Sequence, residues 1–344
     1  MLSHPSPNAI SPQIMNRRPN HIAHSQSAIT LNTHRVILKR MIARIPKIHI
    51  LRLGRVLGSC LYHLDKRHRC IVRRNIQFSQ LQSSPDQIEL MAKRIFQHFG
   101  ISLIELLQMV CFNQNDLVSK VRIEGRQILD DALAKHKGVV IITAHLGNYE
   151  MAAQSFPCVL GLPMASVAKK MRNVRLNRFI HHMRTRFGNR VIYKKGALPE
   201  MMQTLRKRGI VAILMDVSRR FEGVEVNFFG RRATATPSAA LLGLRCKSPV
   251  LPGFSYRNPR GKLIIQIEPP VEMQRSKDLR FDLQRNTQRI TDRVERAIRK
   301  NPEQWNWMLK RWKEFYPDLY PESEKRLKQI KMKEKRKKKS SAAN

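Results

Sequence analysis

The chain has 344 residues, with 65 Lys and Arg against 25 Asp and Glu, so its formal net charge at pH 7 is +40. Hydrophobic residues make up 42% of it, which is enough for a globular core and excludes a wholly disordered or collagen-like chain. The five cysteines are widely spaced and form no Cys-x-x-Cys pair, so neither a disulfide scaffold nor a zinc ribbon is indicated. The charge predicts a negatively charged partner.

The first 34 residues predict a disordered leader, because they are rich in Ser, Pro, Asn and His and lack the apolar core of a signal peptide. Residues 35–64 alternate apolar with basic residues at helical spacing. The charges exclude a membrane span in this stretch. Two interpretations stay open, and they are compatible with each other: an amphipathic helix that lies on an anionic membrane surface, and one that packs on the domain with a solvated basic face.

Residues 35–113 predict an N-terminal helical region, in which Ser84, Pro85 and Asp86 mark the start of a long helix. From residue 114 to 318, predicted strands alternate with helical patterns, which is typical of an α/β domain with a largely parallel central sheet flanked by helices. Residues 319–344 predict a solvated basic tail. The predicted strands are Val139–Thr143, Ala165–Ala168, Arg190–Tyr193, Ile210–Met215, Val250–Ser255 and Leu263–Ile267, with helices notably at Val174–Phe187 and Leu198–Arg208.

The candidate catalytic segment directly follows the predicted strand Val139–Thr143. Its sequence over residues 144–150 is Ala-His-Leu-Gly-Asn-Tyr-Glu. His145 is expected in a strand-to-helix turn at the carboxyl end of the strand, where open α/β sheets place their ligands. A carboxylate bonded to one imidazole nitrogen leaves the other nitrogen free to take a proton from a hydroxyl, so Glu150 is a candidate partner. By spacing alone, a structural histidine beside a helix-capping glutamate is the favoured interpretation.

Several motifs in a fixed order change that interpretation. The stretch from His145 to Glu150 resembles the His-x-x-x-x-Asp/Glu motif of glycerolipid acyltransferases, in the form found in the bacterial late acyltransferases of lipid A biosynthesis. Further stretches similar to that family follow in its order, and the resemblance covers residues 45–315. They are Arg184-x-Arg186-Phe-Gly188, Asp216 after an apolar run, residues 223–236, and Pro302–Trp307 with Lys310–Lys313.

The resemblance implies acyl transfer from an acyl carrier protein thioester to a hydroxyl of a lipid A precursor, with no metal or cofactor. His145 would be the general base and Glu150 would orient it, while Arg184, Arg186 and Asp216 would be candidate substrate-binding residues. The implied partners are the carrier protein, an anionic glycolipid and a membrane surface, at the cytoplasmic face of the bacterial inner membrane. Another glycolipid acceptor, such as a phosphatidylinositol mannoside, stays open.

Nucleic-acid binding is the competing class of function, since a charge of +40 suits a phosphate backbone. Aromatic residues are only 6% of the chain and no RNP, zinc-finger or basic-zipper pattern occurs, so no nucleic-acid partner is expected. Two aromatic clusters keep alternatives open. Phe228 and Phe229 either contact an acyl chain or belong to the core. Trp305, Trp307 and Trp312 lie either at a membrane–water interface or against the sheet.

Overall fold

The computed structural model describes residues 39–194, 196–219 and 223–322. The predicted leader, residues 1–34, lies outside them, as does the predicted basic tail from residue 323 onward. Within the described part of the chain, no helix is both long and apolar enough to cross a membrane.

Three long helices come first, and the elements after them begin with a short helix and then largely alternate between strand and helix, as the sequence predicts. The helices are α1 (Lys47–Leu64), α2 (Lys66–Phe78) and α3 (Pro85–Met109). The elements that follow are α4 (Gln114–Lys120), β1 (Val121–Glu124), α5 (Arg126–Ala134), β2 (Val139–Thr143), α6 (Tyr149–Leu160), β3 (Met164–Ala168), α7 (Val174–Thr185), β4 (Arg190–Tyr193), α8 (Ala197–Arg206), β5 (Ile210–Leu214), β6 (Val224–Phe228), β7 (Arg231–Ala235), α9 (Ser238–Cys246), β8 (Val250–Arg257), β9 (Leu263–Ile267) and α10 (Leu279–Lys300).

Seven of the strands form one sheet in the order β1-β9-β8-β2-β5-β3-β4. All neighbours run parallel except β8 and β9, so the predicted α/β class with a largely parallel sheet is confirmed. The central strands β2 and β5 have continuous apolar sequences because helices cover both faces of the sheet there. Strands β6 and β7 form a separate antiparallel hairpin. Strand β1 was not predicted, because two of its four residues are charged and it follows α4 without a loop between them.

The N-terminal helices share a core with the sheet. Ile71 and Val72 of α2 belong to the same buried cluster as Val140 of β2. Helices α1 and α3 approach closely, because glycine leaves no side chain between them. A Cβ built on Gly58 of α1 would lie 2.2 Å from the backbone oxygen of Phe96 of α3. Helix α1 therefore packs on the domain, which is the second of the two interpretations of this segment.

The C-terminal tryptophans are core residues. Trp305, Trp307 and Trp312 are each at most 1% exposed, so the interpretation that they lie at a membrane–water interface is wrong and burial against the fold is right. The buried Asn75 of α2 holds their segment, since its Nδ2 donates to the backbone oxygen of Trp307 at 2.7 Å.

Phe228 and Phe229, at the end of β6, belong to the same core. They are 0% and 3% exposed. Trp312 Nε1 donates a hydrogen bond to the backbone oxygen of Phe228 at 3.2 Å. Neither phenylalanine lines the large cavity described below, and their burial supports the interpretation as core residues.

Candidate active site

His145 lies in the turn between β2 and α6, at the carboxyl edge of the sheet, as the sequence predicts. Gly147 in this turn has φ of +59°, and a Cβ there would lie 2.6 Å from the backbone oxygen of Ser255, so glycine is required. Asn148 caps α6 by accepting a hydrogen bond from the Met151 N–H at 3.0 Å. The turn thus holds the His145 backbone in one position.

The carboxylate that contacts the His145 ring is that of Asp216. Thr143 of β2 pairs in register with Leu214 of β5, so the residues two positions further along both strands leave the sheet side by side. Nδ1 of His145 lies 2.9 Å from Oδ1 of Asp216, and the His145 N–H donates to Oδ2 at 2.7 Å. With Nδ1 donating its proton to the carboxylate, Nε2 is left as the free basic nitrogen.

Trp305 is the third donor to this carboxylate. Its indole Nε1 donates to Oδ2 of Asp216 at 2.8 Å, and the Asp216 side chain is 0% exposed. The His145 side chain, by contrast, is 16% exposed and reaches a cavity. The carboxylate is therefore fixed and shielded while the imidazole stays accessible.

Charge strengthens the basicity of the pair. Burial lowers the pKa of His145, but the charge and hydrogen bond of Asp216, with a further contribution from the Glu150 charge, together raise that pKa above its ordinary value of 6.5. Burial raises the pKa of Asp216, but the contacts with His145 and Trp305 bring it below its ordinary value. The result is an ionised carboxylate beside an imidazole that accepts a proton readily.

The prediction that Glu150 orients the imidazole is corrected by this geometry. The Glu150 carboxylate is paired with Arg184 of α7, whose Nε donates to Oε2 at 3.0 Å and whose Nη2 donates to Oε1. Glu150 acts on His145 only as a nearby charge. The physical reason is that the adjacent parallel strand brings Asp216 directly to the imidazole, whereas Glu150, in the first turn of α6, meets a guanidinium of α7.

A cavity of about 810 Å³ opens beside His145. Ala152 and Ala153 of α6 and Ala212 and Gly253 of the sheet line it, and their small side chains leave the space between helix and sheet. The cavity extends to Met164, which is level with Ile210 at the start of β5. A largely apolar cavity of this size that begins at a basic nitrogen suits a long hydrocarbon chain with its reactive group at one end.

Comparison with known proteins shows the family of this chain. The family model for bacterial lipid A biosynthesis acyltransferases matches residues 18–314. The chain belongs to this family. Its fold, its motifs and its relatives identify it as an acyltransferase.

Three relatives show the range of the similarity. The chain is 22% identical to the lipid A biosynthesis acyltransferase of Haemophilus influenzae over 268 residues. This aligned region covers 77% of this chain and 82% of the relative. The chain is 23% identical over 281 residues to the lipid A biosynthesis myristoyltransferase of Escherichia coli, covering 78% and 84%. It is 26% identical over 215 residues to the phosphatidylinositol mannoside acyltransferase of Mycobacterium tuberculosis, covering 60% and 66%.

The three predicted substrate-binding residues of this acyltransferase have different positions. Arg184 lines the large cavity beside Glu150. Arg186 does not line it: its Nη1 donates to the backbone oxygen of Val110 at 3.2 Å and its Nη2 to that of Met109, so it satisfies carbonyls at the end of α3. These contacts give Arg186 a structural role, and its predicted role in substrate binding stays a prediction. Asp216 is too buried to contact substrate and positions His145 instead.

Trp305 is the site residue of this acyltransferase whose role the sequence did not reveal. It lies in a motif shared with the family, which was the available signal, but no pattern of spacing connects residue 305 with residue 216. The contact exists because the segment after α10 returns to the turn, where Leu146 and Trp305 form an isolated bridge and the Asn306 N–H donates to the His145 backbone oxygen at 3.0 Å.

Proposed function

We propose that this acyltransferase moves a fatty acyl group from an acyl carrier protein thioester to a hydroxyl of a lipid A precursor. The observation that carries the proposal is the His145–Asp216 pair beside a large apolar cavity. In this scheme the acyl chain lies in the cavity and its thioester carbonyl lies next to the imidazole. The acceptor hydroxyl approaches Nε2 of His145.

The chemistry uses residues of this chain. Nε2 of His145 removes the proton of the acceptor hydroxyl while its oxygen attacks the thioester carbonyl, and the Asp216 carboxylate stabilises the imidazolium that forms. The new carbon–oxygen bond replaces the carbon–sulfur bond. The leaving thiolate then accepts this proton from the imidazolium. The base is thereby regenerated without any change in oxidation state.

Charge near the cavity supports a donor and an acceptor that are both acidic. The basic residues on the loop before α7 and on α7 itself are exposed, and one of them, Lys169, lines the large cavity. Acidic carrier proteins and phosphorylated glycolipids would both be attracted to them. These residues are Lys169, Lys170, Arg172, Arg175 and Arg178.

A second candidate acceptor is a phosphatidylinositol mannoside, which the similarity to the mycobacterial enzyme favours. Both candidates present a sugar or acyl hydroxyl next to phosphate groups, so the described residues are compatible with either one.

The proposal is tested with purified protein, acyl carrier protein thioester and each glycolipid in turn. We expect the wild type to acylate the lipid A precursor and His145→Ala to lower turnover by about 10²–10⁴-fold, because general base catalysis contributes that much. His182→Ala, an exposed histidine on α7, is the matched control and should keep wild-type turnover. Near-normal turnover by His145→Ala would remove the mechanism, and product with the mannoside alone would select the second acceptor.

We also propose that α1 docks on the cytoplasmic face of an anionic inner membrane. Its buried face, with Ile50 and Leu51, packs on the domain, while Leu53, Val56 and Leu64 on the opposite face are 55%, 62% and 79% exposed. The exposed Arg52 and Arg55 flank them. Apolar side chains flanked by basic ones on one helix face are typical of peripheral attachment to anionic lipid.

Vesicle binding checks this attachment. We expect Val56→Ser to lower the partition coefficient onto vesicles that contain phosphatidylglycerol by about tenfold, because burying one valine contributes about 1.5 kcal/mol. Val118→Ser on α4, another exposed valine, should leave the coefficient unchanged. Equal decreases of the partition coefficient in the two variants would contradict docking through α1. Binding that does not depend on anionic lipid or on salt concentration would contradict it as well.

A further inference from the structure

A second cavity, of about 110 Å³, also borders the His145 turn. It shares His145, Tyr149 and Glu150 with the large cavity, but its other walls are formed by α3 and by residues 304–308. The His145 side chain therefore lies between a large space and a small one. The proposed transfer has two substrates, and the large cavity accounts for only one of them.

Arg257, at the end of β8, lines the small cavity with an incompletely satisfied guanidinium. Its side chain is 5% exposed, and its Nη2 donates to Oε2 of Glu105 at 2.5 Å. Its Nε and Nη1 are buried and have no hydrogen-bond partner among the described residues. Buried donors without partners are rare and cost free energy, which a ligand with acceptor oxygens would recover.

The guanidinium is held where it is. Gln304 fixes the Arg257 backbone from both sides, accepting from its N–H at 2.7 Å and donating to its carbonyl at 2.8 Å. Glu105 is fixed in turn by Asn148, the cap of α6, whose Nδ2 donates to Oε2 at 2.8 Å. These hydrogen bonds connect the guanidinium, with its two unpaired donors, to the turn that carries His145.

The charge around the cavity selects the kind of ligand atom. Glu105 balances the charge of Arg257, and Glu150 adds a second carboxylate to the cavity wall. Burial, together with the charges of Arg257 and Arg55, lowers the pKa of His98 to about 4, so this histidine is neutral at pH 7. Because Arg257 pairs with Glu105 and Arg184 pairs with Glu150, these charges are balanced within the protein, and the two free N–H groups suit an uncharged oxygen.

We infer that the small cavity is a subsite for the acyl acceptor, in which the free N–H groups of Arg257 bind an uncharged hydroxyl or carbonyl oxygen beside the hydroxyl that His145 deprotonates. Phe99, Leu103 and Leu106 of α3 contact the carbon atoms of the same segment of the acceptor. The inference rests on the proposed function. It adds a positioning role for Arg257 that none of the sequence motifs indicates.

Binding of the acceptor, measured without turnover, tests the subsite. The experiment titrates a lipid A precursor, and separately a phosphatidylinositol mannoside, into the His145→Ala protein and into the same protein carrying Ser102→Leu, Arg257→Lys or Ser119→Leu. Leucine at position 102 fills the cavity and leaves Arg257 paired, while lysine at position 257 keeps the charge but loses the two free donors. Position 119 is exposed and lines neither cavity, so it gives the matched control.

We expect Ser102→Leu and Arg257→Lys to raise the Kd of the acceptor at least tenfold while the Kd of the acyl carrier protein thioester stays constant and Ser119→Leu changes neither. An unchanged acceptor Kd in Ser102→Leu would overturn the inference and assign the cavity to structural water. A raised thioester Kd alone would assign it to the donor and overturn the inference as well. A glycolipid that binds through this cavity but is not acylated by the wild type would overturn the proposed function and keep the subsite.

Discussion

Asp216→Asn is expected to lower kcat by about 10²–10⁴-fold with little change in KM, because the pair of Asp216 and His145 provides the general base. An amide at position 216 has one oxygen for the three donors that the carboxylate accepts now. Its NH₂ group would face Nδ1 and favour the tautomer that carries the proton on Nε2. The base would then be blocked at the atom that has to receive the proton.

The pH dependence of kcat/KM provides an independent measurement of the same pair. The active form of His145 is the unprotonated one, so activity rises with pH, and the raised pKa places the midpoint above 6.5 in the wild type. Removing the Asp216 charge lowers the pKa of His145, so the residual activity of Asp216→Asn should have its midpoint at lower pH.

Glu150→Gln is the informative comparison, because Glu150 is the partner that the sequence predicted. It removes a more distant charge and leaves the hydrogen bond to Nδ1 intact, so we expect a smaller downward shift of the midpoint than in Asp216→Asn. Circular dichroism of each variant checks that the fold persists. A larger loss of kcat/KM and a larger shift of its pH midpoint in Glu150→Gln than in Asp216→Asn would contradict the assignment of Asp216 as the orienting residue.

Ala212→Leu is expected to change which acyl chains are transferred. Ala212 lies on β5, two residues before the strand ends beside His145, and its side chain lines the large cavity between sheet and α6. A leucine there would close the part of the cavity that reaches Met164 and leave the part next to His145 open. Each methylene kept out of the cavity loses about 0.8 kcal/mol, so four methylenes lose about 3 kcal/mol, or about 100-fold in kcat/KM.

Competition between tetradecanoyl and decanoyl carrier protein thioesters measures this effect. We expect Ala212→Leu to shift the ratio of products toward the shorter chain by about 100-fold, while transfer of the decanoyl group stays near that of the wild type. Ala153→Leu, from the helix wall across the cavity, should shift the ratio in the same direction. An unchanged product ratio in both variants would show that the acyl chain lies elsewhere.

The sequence by itself determined the local elements. The apolar runs at 139–143 and 210–215 predicted strands, and the first was predicted to be buried because strands covered on both faces require apolar residues throughout. The position of His145 directly after the first of these strands predicted that it lies in a turn at the carboxyl end of the strand. The order of the motifs predicted the family. All of these are properties of short segments, or of their sequence along the chain, and they need no knowledge of what packs against them.

The contacts between distant residues were decided only by the tertiary structure. His145 and Asp216 are 71 positions apart and meet because β2 and β5 are neighbours in the sheet, whereas Glu150, five positions away, pairs with Arg184 across two helices. Tryptophans beside basic residues look the same in a sequence whether they face a membrane or a core, and packing placed them in the core. Strand order and burial arise from the sum of many weak contacts over the whole chain, so no local pattern encodes which carboxylate reaches the imidazole.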